Sequence, residues 1–155
     1  MGNVENIGPY VTPLRKSIVV RRPPAEAFEI FTARLSRWWP LSKFSIHQAE
    51  AVSCVVEPRV GGAVYEVARN GDRGIWGTVL AWDPPGRFVM TWHPGRPADS
   101  AQEVEVRFVA VREGTRVELE HRGWTALGPA AGEARTGYDE GWGIVLGTHY
   151  AEACA

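Results

Sequence analysis

Seven tryptophans in a chain of 155 residues are the most conspicuous chemical feature of the sequence. Several aromatic residues stand at the spacing that turns side chains to one face of a strand or a helix. On facing surfaces such side chains either line a cavity for an apolar ligand or fill a core. Residue type and spacing select one set of candidate ligand-binding residues: Trp38, Trp39, Trp76, Trp92, His121, Tyr138 and Trp142.

His121 is the titratable imidazole of this set, and it shares the apolar parity of its segment with Val117 and Leu119. A neutral imidazole there would have a pKa near physiological pH and could orient a ligand or move a proton. The alternative, which we favour, is a core histidine that is hydrogen-bonded to a backbone carbonyl or to Tyr138. The catalytic residues therefore stay unassigned, and whether the protein is an enzyme stays open.

Glu66 lies in the segment VYEV, where strand parity could aim it inward. A buried carboxylate would be a functional candidate. Tyr65 and Val67 form the other apolar face, so we expect Glu66 to be exposed or to lie on an edge strand. The four histidines and two cysteines lack metal-ligand spacing, and we expect neither a metal nor a cofactor.

Composition narrows the class of protein. Hydrophobic residues make up 45% and charged residues 23%, which are ordinary values for a globular domain, and the net charge of -1 argues against nucleic-acid binding. The sequence has no apolar run that could span a membrane and no signal peptide, so we expect a cytoplasmic protein. We expect an N-terminal arm over residues 1–13 and a single domain over residues 14–155.

The elements that must position these side chains follow from the spacing of apolar residues. The sequence predicts a strand over 17–22, a helix from Pro24 to about Arg34, and a second short helix that ends before Pro40. The period then changes to two, which predicts an antiparallel meander of six strands. These strands are expected over 51–57, 63–69, 74–82, 87–93, 102–111 and 115–122.

The C-terminal segment TGYDEGWGIVLGTHY has helical spacing. Five of its positions form one stripe that we expect to face the sheet: Tyr138, Trp142, Val145, Leu146 and His149. Gly137 and Gly141 flank this stripe and would let a strand, a helix or a ligand approach closely, whereas Gly143 and Gly147 lie behind it without an explanation. The order of elements predicts an α+β domain in which this helix covers the dry face of a curved sheet.

Five motifs carry a resemblance to a known superfamily: SRWWPLSKFSI, EPRVGGAVYEV, GIWGTVLAWDPPGRFVMTWH, EVEVRFVAVREGTRVELEHRGW and GYDEGWGIVL. In order and spacing, over about residues 14 to 150, they resemble the SRPBCC superfamily, also called START-like or birch-pollen-allergen-like. The most similar branch is the one named for homology to the C-terminal domain of the heat-shock ATPase activator. Phe44 and Ser45 stand where a polar or histidine-bearing segment is expected, with His47 slightly later, so we transfer no role there.

The resemblance implies a helix-grip fold, in which a curved antiparallel sheet wraps around a long C-terminal helix, with two short helices after the first strand. It also implies a deep hydrophobic pocket between the sheet and the helix. It does not imply one activity, because relatives include lipid carriers, hormone receptors, aromatase or cyclase enzymes and chaperone activators.

Three hypotheses about function follow. The leading one is that an apolar or aromatic small molecule, lipid-like or polyketide-like, binds between the sheet and the C-terminal helix. The second is an enzyme of the cyclase or hydrolase type that uses the same pocket. The third is a protein-binding module like the chaperone-ATPase activator, which we rank lowest because the outer faces of the last two strands are charged. A homodimer or a chaperone partner stays open.

Overall fold

The computed structural model describes residues 10–155. Most of the arm expected over residues 1–13 therefore lies outside the described residues. The last part of that segment contacts the C-terminal helix, because the guanidinium of Arg135 donates hydrogen bonds to the carbonyls of Thr12 at 2.7 Å and Pro13 at 3.1 Å.

Seven strands form one antiparallel sheet. In chain order they are β1 (Leu14–Val20), β2 (Ala51–Val56), β3 (Ala63–Ala68), β4 (Arg73–Asp83), β5 (Arg87–Trp92), β6 (Gln102–Val111) and β7 (Gly114–Arg122). Their spatial order is β1-β7-β6-β5-β4-β3-β2, so the first strand closes the meander by pairing with the last. The predicted order of one strand followed by six is confirmed, although β1 begins three residues earlier than expected.

The α-helices lie in two places in the chain. Between β1 and β2 are α1 (Pro24–Phe31) and α2 (Leu35–Trp38), and α1 starts at Pro24, whose fixed φ suits a first helical turn. After β7 come a 3-10 segment (Trp124–Ala130) and α3 (Ala131–Ile144). None of the helices between residues 10 and 155 is long and apolar enough to cross a membrane.

Alternation along the strands produces one dry and one charged face. On β6 and β7 the side chains of Val106, Val117 and Leu119 are buried against the helices. On the opposite face Glu105 pairs with arginines of its own and neighbouring strands, including Arg122. The curled sheet thus surrounds α3 with its apolar face, and the predicted helix-grip α+β fold is confirmed.

The C-terminal helix departs from the predicted stripe after Ile144. Residues Val145–Tyr150 form a π-helical turn, in which the amide of Ala151 donates to the carbonyl of Leu146 five residues back, and Ala151–Ala153 return to an α turn. The wider turn delays the phase of the helix by about one residue. Tyr150 therefore faces the core and is fully buried, whereas His149, which we expected on the stripe, is partly exposed.

Candidate functional site

Four of the candidate tryptophans meet between the sheet and α3. The ring centroid of Trp39 lies 5.0 Å from that of Trp76, 6.1 Å from that of Trp92 and 5.8 Å from that of Trp142. Trp92 lies 5.5 Å from Trp76 and 5.3 Å from Trp142 by the same measure. These tilted and edge-to-face contacts are the favoured geometries of aromatic pairs. We call these four residues the tryptophan cluster.

The tryptophan cluster fills much of the space where the resemblance implied a deep pocket. What remains between β5, α3 and the segment after α2 is a half-open cleft of about 130 Å³. Its lining is almost wholly aromatic or aliphatic: Trp39, Phe44, Trp92, Pro94, Tyr138, Gly141, Trp142 and Val145. The expected deep pocket is therefore a shallow aromatic cleft in this structure.

Four of the candidate ligand-binding residues line the cleft, namely Trp39, Trp92, Tyr138 and Trp142. Trp76 supports the cleft from behind, because it is 1% exposed and packs against Trp39 and Trp92. Trp38 lies on the other side of Trp39, where its indole donates to the carbonyl of Ile30 at 2.8 Å. Neither of these two residues borders the cleft.

The Tyr138 hydroxyl is the polar group at the cleft. The indole Nε1 of Trp92 donates a hydrogen bond to Tyr138 Oη at 3.1 Å. Burial raises the pKa of this hydroxyl, while the hydrogen bond from Trp92 and the positive charge of Arg96 act in the opposite direction. Because the net effect is a raised pKa, Tyr138 is protonated at neutral pH.

His121 is fully buried behind the cleft and does not border it. The Trp142 indole donates to His121 Nδ1 at 3.0 Å, so that nitrogen carries no proton and Nε2 donates to Gln102 Oε1 at 3.1 Å. The Trp124 ring stacks on the imidazole at 4.0 Å. The favoured alternative, a core histidine with its hydrogen bonds satisfied, matches this geometry, although the partners are Gln102 and Trp142.

The expected near-physiological pKa of His121 is wrong. Burial disfavours the imidazolium and lowers the pKa from 6.5 to about 3. At neutral pH the ring is a fixed neutral link between Gln102 and Trp142. Its contribution to the site is the orientation of the Trp142 indole, which forms one wall of the cleft.

Glu66 is fully buried, which corrects the expectation of an exposed carboxylate. Its Oε1 accepts hydrogen bonds from the Ile46 amide at 2.7 Å and the Trp76 indole at 2.6 Å. Its Oε2 accepts from the His47 amide and the His47 Nδ1, both at 2.8 Å. Burial alone would raise the pKa of Glu66, but these four donors outweigh it and hold the pKa below its ordinary value.

The inward direction of Glu66 could have been found from its neighbours at period two. Val64 and Ala68 are both apolar, and both are buried on the same face of β3 as Glu66. The competing signal came from Tyr65, which is also buried on the opposite face, beneath the Arg73 guanidinium at 4.4 Å. Both faces of β3 are covered, so alternation alone does not distinguish them.

The segment after α2 closes one side of the cleft, and sequence reasoning assigned it no role. The Trp39 indole donates to the backbone carbonyl of Phe44 at 2.7 Å, and the Phe44 ring lies against the flank of Gly141. Glu66 accepts hydrogen bonds from the backbone amides of Ile46 and His47, two and three residues further along the chain. A Cβ at Gly141 would lie in ordinary contact with Phe44 Cε1 at 3.5 Å, so a larger side chain there would extend toward the cleft.

A model of the family described as Activator of Hsp90 ATPase homolog 1-like protein matches residues 21–151. No curated protein matches the chain. Among solved structures, the anthrahydroquino-γ-pyrone synthase Txn09, complexed with SUM, is 34% identical, with a TM-score of 0.62 over 92% of this chain and 97% of that chain.

Two more distant structures support the fold alone. Protein MLL2253 from Mesorhizobium loti is 18% identical, with a TM-score of 0.65 over 92% of this chain and 96% of that chain. DynU16, from the dynemicin biosynthetic locus, is 17% identical, with a TM-score of 0.66 over 90% of this chain and 46% of that chain.

Proposed function

We propose a ligand-binding function for this chain, which belongs to the family of Activator of Hsp90 ATPase homolog 1-like proteins within the SRPBCC superfamily. The ligand is an aromatic, polyketide-like small molecule. The binding site is the cleft between the sheet and α3. The observation that carries this proposal is the half-open cleft, whose lining includes five aromatic side chains, four of them from the candidate set.

The size of the cleft defines how such a ligand binds. Typical ligand pockets measure roughly 300–1,000 Å³, whereas this cleft measures about 130 Å³. An apolar protein cavity of about 150 Å³ is large enough for benzene. The cleft therefore takes one aromatic ring between the tryptophan cluster and Phe44, and the rest of the molecule extends through the open side.

A flexible aliphatic chain fits this site less well than a planar ring. The cleft is bounded by the faces and edges of indole, phenol and phenyl rings, which make offset and edge-to-face contacts with another aromatic ring. The identity of 34% to a synthase of an anthrahydroquino-γ-pyrone also favours a polycyclic aromatic ligand over a lipid. We therefore choose the polyketide-like class.

Ligand binding is tested by titrating the protein with anthraquinone-2-sulfonate and, separately, with dodecanoate. With the aromatic compound we expect a one-to-one complex in native mass spectrometry and saturable quenching of tryptophan fluorescence. Quenching is expected because three tryptophans of the protein line the cleft. Dodecanoate is expected to bind more weakly. Tight binding of dodecanoate without binding of the aromatic compound would contradict the polyketide-like class.

Gly141→Leu is expected to block the cleft. A Cβ at this position meets Phe44 at 3.5 Å, which is ordinary contact, but the further atoms of leucine would occupy the space of a bound ring. Gly137→Leu is the matched control, since a Cβ there meets nothing within 4 Å and both changes remove a helical glycine that costs about 1 kcal/mol.

The measurement is the Kd of the aromatic probe for the two leucine variants and the unmodified chain. Gly141→Leu should weaken binding at least tenfold, or about 1.4 kcal/mol, while Gly137→Leu should retain it and raise the melting temperature. Equal binding by both variants would place the ligand outside the cleft.

A second candidate function is a ring-forming reaction on the bound molecule, which the relationship to the synthase Txn09 favours. Tyr138 is the group at the cleft that could donate a hydrogen bond to a reacting oxygen, since His121 lies outside it and is a very weak base. The test is turnover of linear poly-β-ketone mimics by the unmodified chain. Turnover that depends on His121 but not on Tyr138 would contradict this assignment.

A further inference from the structure

We propose that Tyr138 makes the cleft selective for an aromatic ring that carries a keto or quinone oxygen. This inference rests on the proposed binding of an aromatic ring in the cleft, and it adds the functional group that the ligand presents there. It follows from the hydrogen-bond partners of every polar side-chain atom in the lining.

Three of the eight lining residues are tryptophans, and each indole N–H is already used within the protein. Trp39 donates to the Phe44 carbonyl, Trp92 to the Tyr138 hydroxyl, and Trp142 to His121 Nδ1. An indole has one N–H and no acceptor, so these rings offer a ligand only their apolar surfaces. The remaining lining residues except Tyr138 have no polar side-chain atom. The Tyr138 hydroxyl is therefore the polar side-chain group that the lining can present.

The bond from Trp92 also fixes which role the hydroxyl has toward a ligand. Because Trp92 can only donate, Tyr138 Oη is the acceptor in their contact at 3.1 Å. The hydroxyl proton must then be directed away from the Trp92 N–H, and it reaches no acceptor within residues 10–155. A ligand oxygen in the cleft would satisfy this donor.

Charge and protonation agree with this geometry. Burial raises the pKa of Tyr138, so the hydroxyl keeps its proton at neutral pH and acts as a donor. The positive charge of Arg96 lies close enough to affect the same hydroxyl. Both groups favour an oxygen with partial negative charge, which describes a ring ketone or a quinone.

The experiment compares two probes that differ in one carbonyl group, 1-tetralone and its hydrocarbon tetralin. Both are titrated into the unmodified chain, Tyr138→Phe and Tyr65→Phe, and the tryptophan indole N–H signals are followed by NMR spectroscopy. Tyr65→Phe is the matched control, because it removes a hydroxyl on the opposite face of the sheet, where the ring lies beneath Arg73. Melting temperatures of all three chains verify that each is folded.

Tyr138→Phe is expected to lower the ratio of tetralone affinity to tetralin affinity about three- to tenfold, the effect of one neutral hydrogen bond. Tyr65→Phe should leave the ratio unchanged. If both probes bind and Tyr138→Phe has the ratio of the unmodified chain, selectivity by Tyr138 is overturned while ring binding stands. If neither probe binds the unmodified chain, ring binding in the cleft is overturned together with this inference.

Discussion

Lowering the pH from 7 to 5 is expected to reduce the free energy of unfolding by about 2 kcal/mol through His121 alone. The folded chain holds this imidazole neutral, with a pKa of about 3, whereas the unfolded chain protonates it near 6.5. Between pH 3 and pH 6.5 the imidazole is protonated in the unfolded state but not in the folded state. Stability therefore rises with pH across this range, and it falls as the pH drops from about 6.5 toward 3.

The full difference between the two pKa values corresponds to about 5 kcal/mol below pH 3. The interval from pH 7 to 5 is the best place to observe it. The carboxylates whose pKa is lowered by folding, Glu66, Glu105 and Asp139, affect stability only as the pH falls below about 4.5. The slope between pH 7 and 5 therefore reports buried histidine.

The measurement is urea denaturation at pH 5, 6 and 7 for the unmodified chain, His121→Gln and His149→Gln. His121→Gln should be less stable at pH 7, because it removes the ring that stacks on Trp124 and moves the acceptor of the Trp142 indole, but its stability should change much less with pH. His149→Gln removes a partly exposed histidine without disturbing the buried network and should retain the slope. If the free energy of unfolding of His121→Gln depends on pH as strongly as that of the unmodified chain, a group other than His121 causes the dependence.

The burial of His121 was predictable and its pKa was not. Parity with Val117 and Leu119 placed the imidazole on the dry face of β7, where it is fully buried. The pKa depends on how far the surrounding residues exclude water from the imidazole. Those residues include Trp142 on α3, which is distant in sequence, and Trp124, which lies in a segment without a periodic pattern. Alternation within one strand carries no information about that enclosure.

The strands and the C-terminal helix were predictable because their signals are local. Alternation and turn residues such as Asn70-Gly71 define each strand within a few positions. The π turn was not predictable, since it changes the helical phase without a characteristic residue type, and it exchanges His149 for Tyr150 at the core. The hydroxyl of Tyr150 donates a hydrogen bond to the Ala27 carbonyl at 2.7 Å, and this tertiary contact stabilises the helix in its shifted phase.

The size of the cleft could not be predicted from the sequence either. Spacing identified the aromatic residues on the facing surfaces, but whether they leave a pocket depends on how their rings pack across the sheet. Trp39 follows directly after α2, Trp92 lies on β5 and Trp142 on α3, and their mutual contacts occupy the centre. The segment that holds Phe44 at the cleft has irregular structure, so no periodicity indicated it.

Glu66→Gln is expected to destabilise the protein by about 3 kcal/mol at pH 7. The carboxylate is fully buried and accepts four hydrogen bonds, from two amides, an indole and an imidazole. A glutamine side chain has one carbonyl oxygen, and its NH₂ group would face donors that need an acceptor. Either Ile46 and Trp76 or the two His47 donors would then lose their partner.

The matched control is Glu50→Gln, which makes the same change at an exposed carboxylate at the end of the same segment. Its ion pair with Arg69 at 3.5 Å is exposed, so the effect should stay within about 0.5 kcal/mol. Urea denaturation of the three chains at pH 7 gives both values. Equal losses for the two variants would show that the four hydrogen bonds to Glu66 contribute little.

The pH dependence separates loss of the charge from a change in packing. Folding lowers the pKa of Glu66, so its contribution is present above the ordinary value of 4.5 and is lost as the pH falls toward the lowered pKa of the folded chain. The stability difference between the unmodified chain and Glu66→Gln should therefore be largest near neutral pH and shrink below pH 4.5. Because His121 is present in both chains, its effect cancels in that difference. If the stability difference stays constant as the pH falls, the destabilisation by Glu66→Gln comes from a change in packing. The charge of the carboxylate would then not be what holds Ile46 and His47 beside the cleft.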